Sequence, residues 1–280
     1  MQSTHQLGVH RDVPFSDYLR WDAVSKHDLD LIARSPAHFQ AAKTAPVETT
    51  PAMAFGTAAH TWILEPKKAP MEVAVMPKYD RRTKAGKEAA AEFEAMSFGK
   101  TIVTEDDARH LAAMSAAVNS HKIASRLIDD ATAIEASVLW QHERTGELAR
   151  CRPDIIGPDY VVDLKTTFDA SKEAFAKTVH KYRYQVQAAF YIDACTSLKA
   201  LPPESAFIFI AVEKKPPYGV AVYTLTKEDL ERGRFQYERD ITRYHHCRET
   251  GHWFGYADSI NYIELPSYAR NQIDEITGNE

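Results

Sequence analysis

The chain has 280 residues, of which 44% are hydrophobic and 26% are charged. This composition supplies a full hydrophobic core and excludes a disordered chain, a collagen-like repeat and a membrane protein. The 34 Lys and Arg residues against 39 Asp and Glu residues give a formal net charge of −5, which argues against a general basic coat for nucleic acid but permits a local basic groove.

Cysteine usage and the first residues indicate the compartment. Cys151, Cys195 and Cys247 form no CxxC pair, so neither a disulfide framework nor a cysteine-bound metal is indicated. Residues 1–12 have no apolar core of the kind that a signal peptide needs, and no apolar run reaches the length of a membrane span. We therefore expect a soluble protein of the reducing cytoplasm with no membrane partner.

The N-terminal third of the chain is predicted to be helical. Ser25 begins a capping-box pattern at the start of one helix. Residues 53–64 are predicted as a helix that carries His60, and a continuous helical pattern covers 105–128.

From residue 135 onward the pattern changes to β-prone runs. The runs 136–140, 148–156 and 160–166 predict a three-stranded antiparallel meander. A helical stretch over about 171–198, two further strands and a long helix after Thr226 complete the order. This order predicts a mixed α/β fold with a central mixed sheet flanked by helices. We expect one domain over 1–280, with a helical part at about 20–130, a core at about 131–265 and a short C-terminal tail.

Two acids lie where a short turn forces two strands together. If residues 157–160 form the loop, Ile156 faces Val161, and Asp154 lies opposite Asp163 with Cβ atoms roughly 4.5–5.5 Å apart. Two carboxylates at that spacing repel each other. The pair therefore predicts a divalent metal with oxygen ligands.

The residues after Asp163 extend this predicted site. Lys165 shares a face with Asp163 by the two-residue period of a strand, whereas the Leu164 side chain points to the core and leaves its backbone carbonyl available as a metal ligand. An acid pair, a metal and an adjacent ammonium suit hydrolysis of a phosphodiester. The alternative is a solvated strand face on which Arg152 screens the repulsion between the acids.

The spacing of Pro153-Asp154 and Asp163-Leu164-Lys165 resembles the PD-(D/E)xK nuclease motif. The resemblance implies a restriction-endonuclease-like core. It also implies that the two acids and the lysine are the catalytic residues.

Further residues resemble the RecB-type group of these nucleases. Gln187 and Tyr191 share one helix face and match its Gln-x-x-x-Tyr motif. In that group an upstream His and Glu accompany the two acids and the lysine near the metal, which implies His60 and Glu135 here. A core histidine is the alternative for His60, and the additional acid stays open among three glutamates, Glu135, Glu143 and Glu147.

Longer stretches resemble the RecE-like, or exonuclease VIII-like, nuclease family over roughly residues 20–265. They are 35–38, 55–60, 80–84, 135–140, 143–146, 151–154, 163–167 and 182–191. The resemblance implies a Mg²⁺-dependent exonuclease, with Mn²⁺ as a substitute, that degrades one strand of linear duplex DNA from its 5′ end. It also implies double-stranded DNA ends as partners, a homo-oligomer, a phage or prophage role in recombination, and a single-strand annealing protein as a further partner.

Two basic segments are predicted to hold the DNA. The first is a dense basic cluster that could contact phosphates from a loop or from the start of a helix: Arg81, Arg82, Lys84 and Lys87. The alternative is that these side chains are only the solvated entrance of a helix. The second interleaves cations with two rings that can stack on bases: Lys177, Lys181, Tyr182, Arg183 and Tyr184.

Two other function classes remain open. One is a different PD-(D/E)xK nuclease of Cas4-like or restriction type, and the other is a non-catalytic DNA-binding relative. The lack of clustered cysteines argues against a Cas4-like nuclease, and the lack of a separate target-recognition region argues against a restriction enzyme. The retained acids and lysine argue against a non-catalytic relative.

Overall fold

The computed structural model describes residues 6–45 and 49–277, so residues 1–5 of the segment considered for a signal peptide lie outside it. The helices of this part are α1 (Phe15–Leu19), α2 (Lys26–Arg34), α3 (Pro36–Thr44), α4 (Pro51–Leu64), α5 (Ala69–Glu72), α6 (Lys84–Met96), α7 (Glu105–Ser120), α8 (Lys122–Asp129), α9 (Lys172–Lys181), α10 (Tyr184–Ser197), α11 (Lys227–Thr250) and α12 (Ser267–Thr277). The strands are β1 (Gly8–His10), β2 (Val24–Ser25), β3 (Val73–Met76), β4 (Thr101–Thr104), β5 (Ala133–Ile134), β6 (Ser137–Gln141), β7 (Leu148–Cys151), β8 (Ile155–Ile156), β9 (Tyr160–Thr167), β10 (Ala206–Glu213) and β11 (Val220–Thr224). The mixed α/β class predicted from the sequence is confirmed.

Two sheets carry most of the strands. The five-stranded sheet has the order β11-β10-β9-β8-β5, and only β9 and β10 run parallel in it. The four-stranded sheet has the order β1-β6-β7-β2, and only β2 and β7 run parallel in it. A separate parallel pair joins β3 to β4. The N-terminal residues therefore contribute edge strands to a sheet as well as helices.

The predicted three-stranded meander is wrong. The strands β6 and β7 belong to the four-stranded sheet, whereas β8 and β9 belong to the five-stranded sheet. The single strand predicted over 148–156 is broken at residues 152–154, because Pro153 has no backbone N–H to donate to a ladder. The chain crosses between the sheets at this break, which places Asp154 at their junction.

Two stretches predicted as continuous helices are each divided. His121 has extended backbone between α7 and α8, and its Nδ1 accepts a hydrogen bond of 3.2 Å from the Ala124 N–H, so this residue caps α8. The stretch that follows the hairpin divides into α9 and α10 at Tyr182 and Arg183. The second division lies beside the functional site described below.

The central strand β9 is buried on both faces. Val161 packs in the core that contains α10 and α11, whereas Val162 and Leu164 pack in the core that contains α4 and α7. Leu164 is 1% exposed, which confirms its predicted place in the core. Because side chains alternate along a strand, Asp163 and Lys165 point toward α10.

Side-chain caps stabilise the N-termini of two helices that carry site residues. Ser25 and Asp28 form the predicted capping box at the start of α2. The Thr50 side chain accepts a hydrogen bond from the Met53 N–H at the start of α4, and Pro51 occupies the first turn. Caps of this kind stabilise a helix by about 1 kcal/mol each. Within residues 6–45 and 49–277, no helix has the length and apolar character that a bilayer span requires.

Candidate active site

The hairpin of β8 and β9 has the register that the sequence predicts. Ile155 pairs with Val162, so Asp154, one residue earlier, lies level with Asp163. The backbone ladder between β8 and β9 ends at Ile155. Beyond it a side chain takes over, because Oδ2 of Asp154 accepts a hydrogen bond of 2.6 Å from the Leu164 N–H. The break before β8 therefore fixes one carboxylate directly beside the next strand.

Three residues from distant parts of the chain meet at this carboxylate. His60 lies on α4, Glu135 lies between β5 and β6, and Asp154 precedes β8. Nδ1 of His60 is 3.2 Å from Oδ1 of Asp154 and 3.4 Å from Oε1 of Glu135. One ligand atom from each residue lies within 4.8 Å of the other two. We call His60, Glu135 and Asp154 the donor trio.

The structure distinguishes between the three candidate glutamates. Glu143 is exposed. Glu147 is 2% exposed, but its Oε1 pairs with His245 at 2.6 Å and with Arg248 at 3.0 Å, outside the donor trio. Glu135 is thus the glutamate at the site, and His245 has a structural partner.

Glu135 is held in an uncommon backbone conformation. Its φ is 50°, in the left-handed region that non-glycine residues seldom occupy. Its N–H donates a hydrogen bond of 2.9 Å to the Asp154 carbonyl, and Arg152 Nε lies 3.0 Å from Oε2. Arg152 also donates to Ser137 Oγ at 2.7 Å and to the Val13 carbonyl at 3.0 Å. Arg152 therefore orients the Glu135 carboxylate in addition to balancing its charge. A left-handed backbone at a non-glycine residue such as Glu135 is typical of functional sites.

A second group of side chains surrounds Lys165 on the α10 side of β9. Lys165 Nζ is 2.6 Å from Asp163 Oδ2 and donates a hydrogen bond of 3.1 Å to Gln187 Oε1. The Gln187 amide also donates to Asp163 Oδ1, and the ring centroid of Tyr184 is 4.2 Å from Lys165 Nζ. Burial lowers the pKa of Lys165, but the charges of Asp163, Tyr184 and Asp154 and the hydrogen bond to Asp163 together outweigh burial and raise it. Lys165 is therefore an ammonium at neutral pH.

Charge and burial perturb the donor trio strongly. Burial lowers the pKa of His60, but the carboxylates of Asp154 and Glu135 outweigh burial and raise it well above its usual value. Burial, with the charges of Asp163 and Glu135, raises the pKa of Asp154 to about 6 against the opposing effect of His60. Burial opposes ionisation of Glu135 as well, yet His60 and Arg152 lower its pKa. Without a metal, His60 thus carries a proton at neutral pH.

Both groups border one open cleft of about 1130 Å³. Asp163 is 2% exposed and lies beneath the lining side chains. The predicted site residues that line the cleft are His60, Glu135, Asp154, Lys165, Tyr184, Gln187 and Tyr191. The structure therefore brings together all seven predicted catalytic residues, six in the lining and Asp163 directly below.

The predicted DNA-contacting cations lie outside the lining of this cleft. Over the described residues, the cleft lining includes none of the first cluster, Arg81, Arg82, Lys84 and Lys87. Three of these have acidic neighbours: Arg81 pairs with Glu94 at 2.8 Å, Arg82 with Asp80 at 3.0 Å and Lys84 with Glu88 at 3.8 Å. All four are exposed.

The second predicted segment is mixed in character. Lys177 and Lys181 are exposed on α9. Arg183 is engaged within the protein, because it pairs with Asp30 at 2.8 Å and with the fully buried Asp240. Tyr184 alone of this segment borders the cleft.

Lys26 is a cleft residue that was not predicted from the sequence. This residue of α2 lines the cleft, pairs with Asp30 at 2.7 Å and donates a hydrogen bond of 2.8 Å to the Tyr182 carbonyl. It reaches the site through the packing of α2 against α10 and α11. No local motif near residue 26 encodes that contact.

The donor trio fits a divalent cation. It offers one imidazole nitrogen and two carboxylates at close range. Burial and the repulsion from Asp163 and Glu135 raise the pKa of Asp154, and a bound cation would relieve that repulsion. Asp163 Oδ2 is buried and makes no hydrogen bond within the described residues, although Lys165 lies beside it. Carboxylates suit Mg²⁺ and Mn²⁺, and an imidazole ligand favours Mn²⁺.

Comparison with known proteins agrees with this geometry. The model of a family described as a PDDEXK-like domain of unknown function (DUF3799) matches residues 25–266. The chain belongs to this family. No curated protein matches the sequence.

A solved structure supports the fold. The crystal structure of a protein from Eubacterium rectale, described as a "putative exonuclease", is similar with a TM-score of 0.55 and 11% sequence identity. The alignment covers 92% of this chain and 94% of that chain. Family and neighbour together confirm the PD-(D/E)xK-like core predicted from the sequence.

Proposed function

We propose that this protein is a metal-dependent exodeoxyribonuclease of the RecE type. It degrades one strand of linear duplex DNA from the 5′ end and leaves 3′ single-stranded tails for phage-type homologous recombination. The observation that carries the proposal is the meeting of the donor trio with Lys165 in one cleft. The strand polarity and the recombination role rest on the RecE-like stretches of the sequence.

In this proposal the donor trio holds the metal. Asp163 and the Leu164 carbonyl are the further ligands that the sequence suggests. A divalent cation at this position would activate water and stabilise the charge that develops on the phosphodiester. We propose Mg²⁺ as the physiological ion and Mn²⁺ as its substitute, since both accept carboxylate ligands.

The remaining side chains act on the substrate or on one another. The raised pKa of Lys165 keeps it an ammonium at neutral pH, so we assign it to stabilising negative charge on the phosphate. Gln187 holds Lys165 and Asp163 in place through its amide. Tyr191 borders the cleft on the same face of α10, where it limits the space open to the substrate strand.

We propose double-stranded DNA ends as the substrate and a homo-oligomer as the functional state, with a single-strand annealing protein as a further partner. An apolar surface near the C-terminus supports the homo-oligomer. Ile260, Tyr262 and Ile263 are each more than 90% exposed, and contiguous exposed apolar side chains usually mark an interaction surface.

The test uses linear, nicked and closed circular duplex DNA, each with Mg²⁺ or with EDTA. We expect the linear DNA to be degraded with Mg²⁺ and not with EDTA, and the nicked and closed circular DNA to remain intact. Labelled mononucleotides should appear first from strands labelled at the 5′ end. Asp154→Asn should abolish the reaction, whereas Glu143→Gln, which alters an exposed acid outside the trio, should not.

Other outcomes would select another function. Cleavage of closed circular DNA would indicate a restriction-type endonuclease, and binding without cleavage would indicate a non-catalytic relative. A Cas4-like nuclease needs several cysteines grouped at one site. The three cysteines of this chain are far apart in sequence, buried and free.

A further inference from the structure

A stacked pair of tyrosines leads from the cleft to the surface. The rings of Tyr182 and Tyr184 have centroids 5.7 Å apart and planes inclined by 23°. Tyr184 borders the cleft beneath the Lys165 ammonium, whereas Tyr182 is 51% exposed. Lys165, Tyr184 and Tyr182 thus form a continuous line from the reaction centre to solvent.

The stack depends on the backbone of Arg183. Residues two apart on a regular helix do not face each other, but Arg183 has φ 54° and ψ 44°, in the left-handed region. This conformation ends α9 and turns the rings of Tyr182 and Tyr184 face to face. Ion pairs from the Arg183 guanidinium to Asp30 and to the buried Asp240 hold it there. The fold maintains an uncommon conformation at the point where two rings must stack.

Cations surround the stack although the chain is acidic overall. Lys26 Nζ donates to the Tyr182 carbonyl and lies 6.0 Å from the Tyr184 ring centroid. Lys181 Nζ lies 5.4 Å from the Tyr182 ring centroid. Exposed rings interleaved with ammonium groups are the arrangement by which proteins hold single-stranded nucleic acid, because bases stack on the rings while phosphates pair with the cations.

We propose that Tyr182 and Tyr184 form a stacking platform for an unpaired base of the substrate strand, next to the phosphodiester that lies at Lys165. The proposal rests on the nuclease function proposed above and deepens it by naming the substrate class. The strand must be unpaired at its end, since a base inside a duplex has both faces stacked on its neighbours and none free for the Tyr182 ring. Single-stranded and overhanging ends therefore bind more tightly than blunt ends.

The test is an abasic scan of binding. A short single-stranded oligodeoxynucleotide, with an abasic nucleotide placed at each position in turn, is titrated into the wild-type protein with Ca²⁺ in place of Mg²⁺, and the recovered strand is checked for cleavage. We expect one position near the 5′ end at which the missing base weakens binding by about 5- to 150-fold, the range measured for stacked bases. In Tyr182→Leu the intact strand should bind as weakly as the abasic strand binds wild type, and the abasic substitution should have no further effect.

Two variants control the experiment. Tyr182→Phe keeps the ring and should restore the abasic profile. Tyr256→Leu removes a tyrosine that is 70% exposed and away from the cleft, so it should leave that profile unchanged. The melting temperatures of all variants should match that of the wild type.

The platform proposal would be overturned if the affinity depended on the position of the abasic nucleotide in the same way for Tyr182→Leu as for the wild type. This result is independent of cleavage, so it can be told apart from a failure of the nuclease proposal. If the wild type cleaves no DNA with Mg²⁺ or Mn²⁺ but the scan shows the coupled loss, the nuclease proposal fails and the platform stands as a single-strand binding site.

Discussion

Binding of Mn²⁺ to the metal-free protein should weaken steeply as the pH falls. The raised pKa of His60 means that the imidazole is protonated at neutral pH and must lose that proton to become a ligand. This requirement weakens affinity about tenfold for each pH unit below the pKa of His60. The pKa of Asp154, about 6, adds a second proton that must leave at lower pH.

The size of the effect follows from these two groups. Between pH 7 and pH 5, His60 contributes about 100-fold and Asp154 about 10-fold, so the Kd for Mn²⁺ should rise about 1000-fold. Isothermal titration at each pH gives the Kd. Repeating it at pH 7 in two buffers of different ionisation enthalpy should show about one proton released per ion bound.

Two variants test the assignment of the protons. His60→Gln should bind Mn²⁺ more weakly and lose the proton release at pH 7. His245→Gln, which alters the partner of Glu147 outside the cleft, should keep it. A Kd that changes by less than about 10-fold between pH 7 and pH 5, in protein shown to stay folded, would refute the reasoning.

Three further predictions concern charge. Lys165→Ala should lower the single-turnover rate of cleavage by at least about 100-fold with DNA binding largely kept, because its ammonium acts on the transition state. A rate near that of wild type would instead assign Lys165 to a structural ion pair with Asp163. Replacing Arg81 and Arg82 by Ala should weaken duplex binding and flatten the plot of log K against log salt by about 0.9 for each lost phosphate contact; an unchanged slope would assign both to their local ion pairs. Arg183→Ala should lower the free energy of unfolding in urea by about 2 kcal/mol, because it removes one charged partner of the buried Asp240 while Arg239 still pairs with that carboxylate at 2.7 Å. A loss under about 0.5 kcal/mol would contradict that role.

Short-range patterns predicted one part of the site well. The loop at 157–160 fixes the register of β8 and β9 because a hairpin turn determines which residues pair. The same strand period places Lys165 beside Asp163 and Leu164 in the core. The helix period likewise places Gln187 and Tyr191 together at the cleft.

The prediction of a meander failed because hydrophobic pattern alone does not show to which sheet a strand belongs. Residues 148–151 and 155–156 are all β-prone, and the break between them depends on Pro153 and on the two separate sheets available for pairing. The local pattern also did not reveal the left-handed residues Glu135 and Arg183. Their conformations are stabilised by partners far away in sequence, such as Asp240.

The sequence by itself determined the mixed α/β class, the hairpin register, and the placement of Lys165 beside Asp163 and of Gln187 beside Tyr191. These follow from periodicity, turn residues and motif spacing, which act over a few residues. Only the tertiary structure decided that His60 and Glu135 join Asp154, that Arg152 orients Glu135, and that Asp163 lies beneath Lys165. Such contacts form when separate elements pack into shared cores, and their geometry depends on how the whole chain buries its apolar surface.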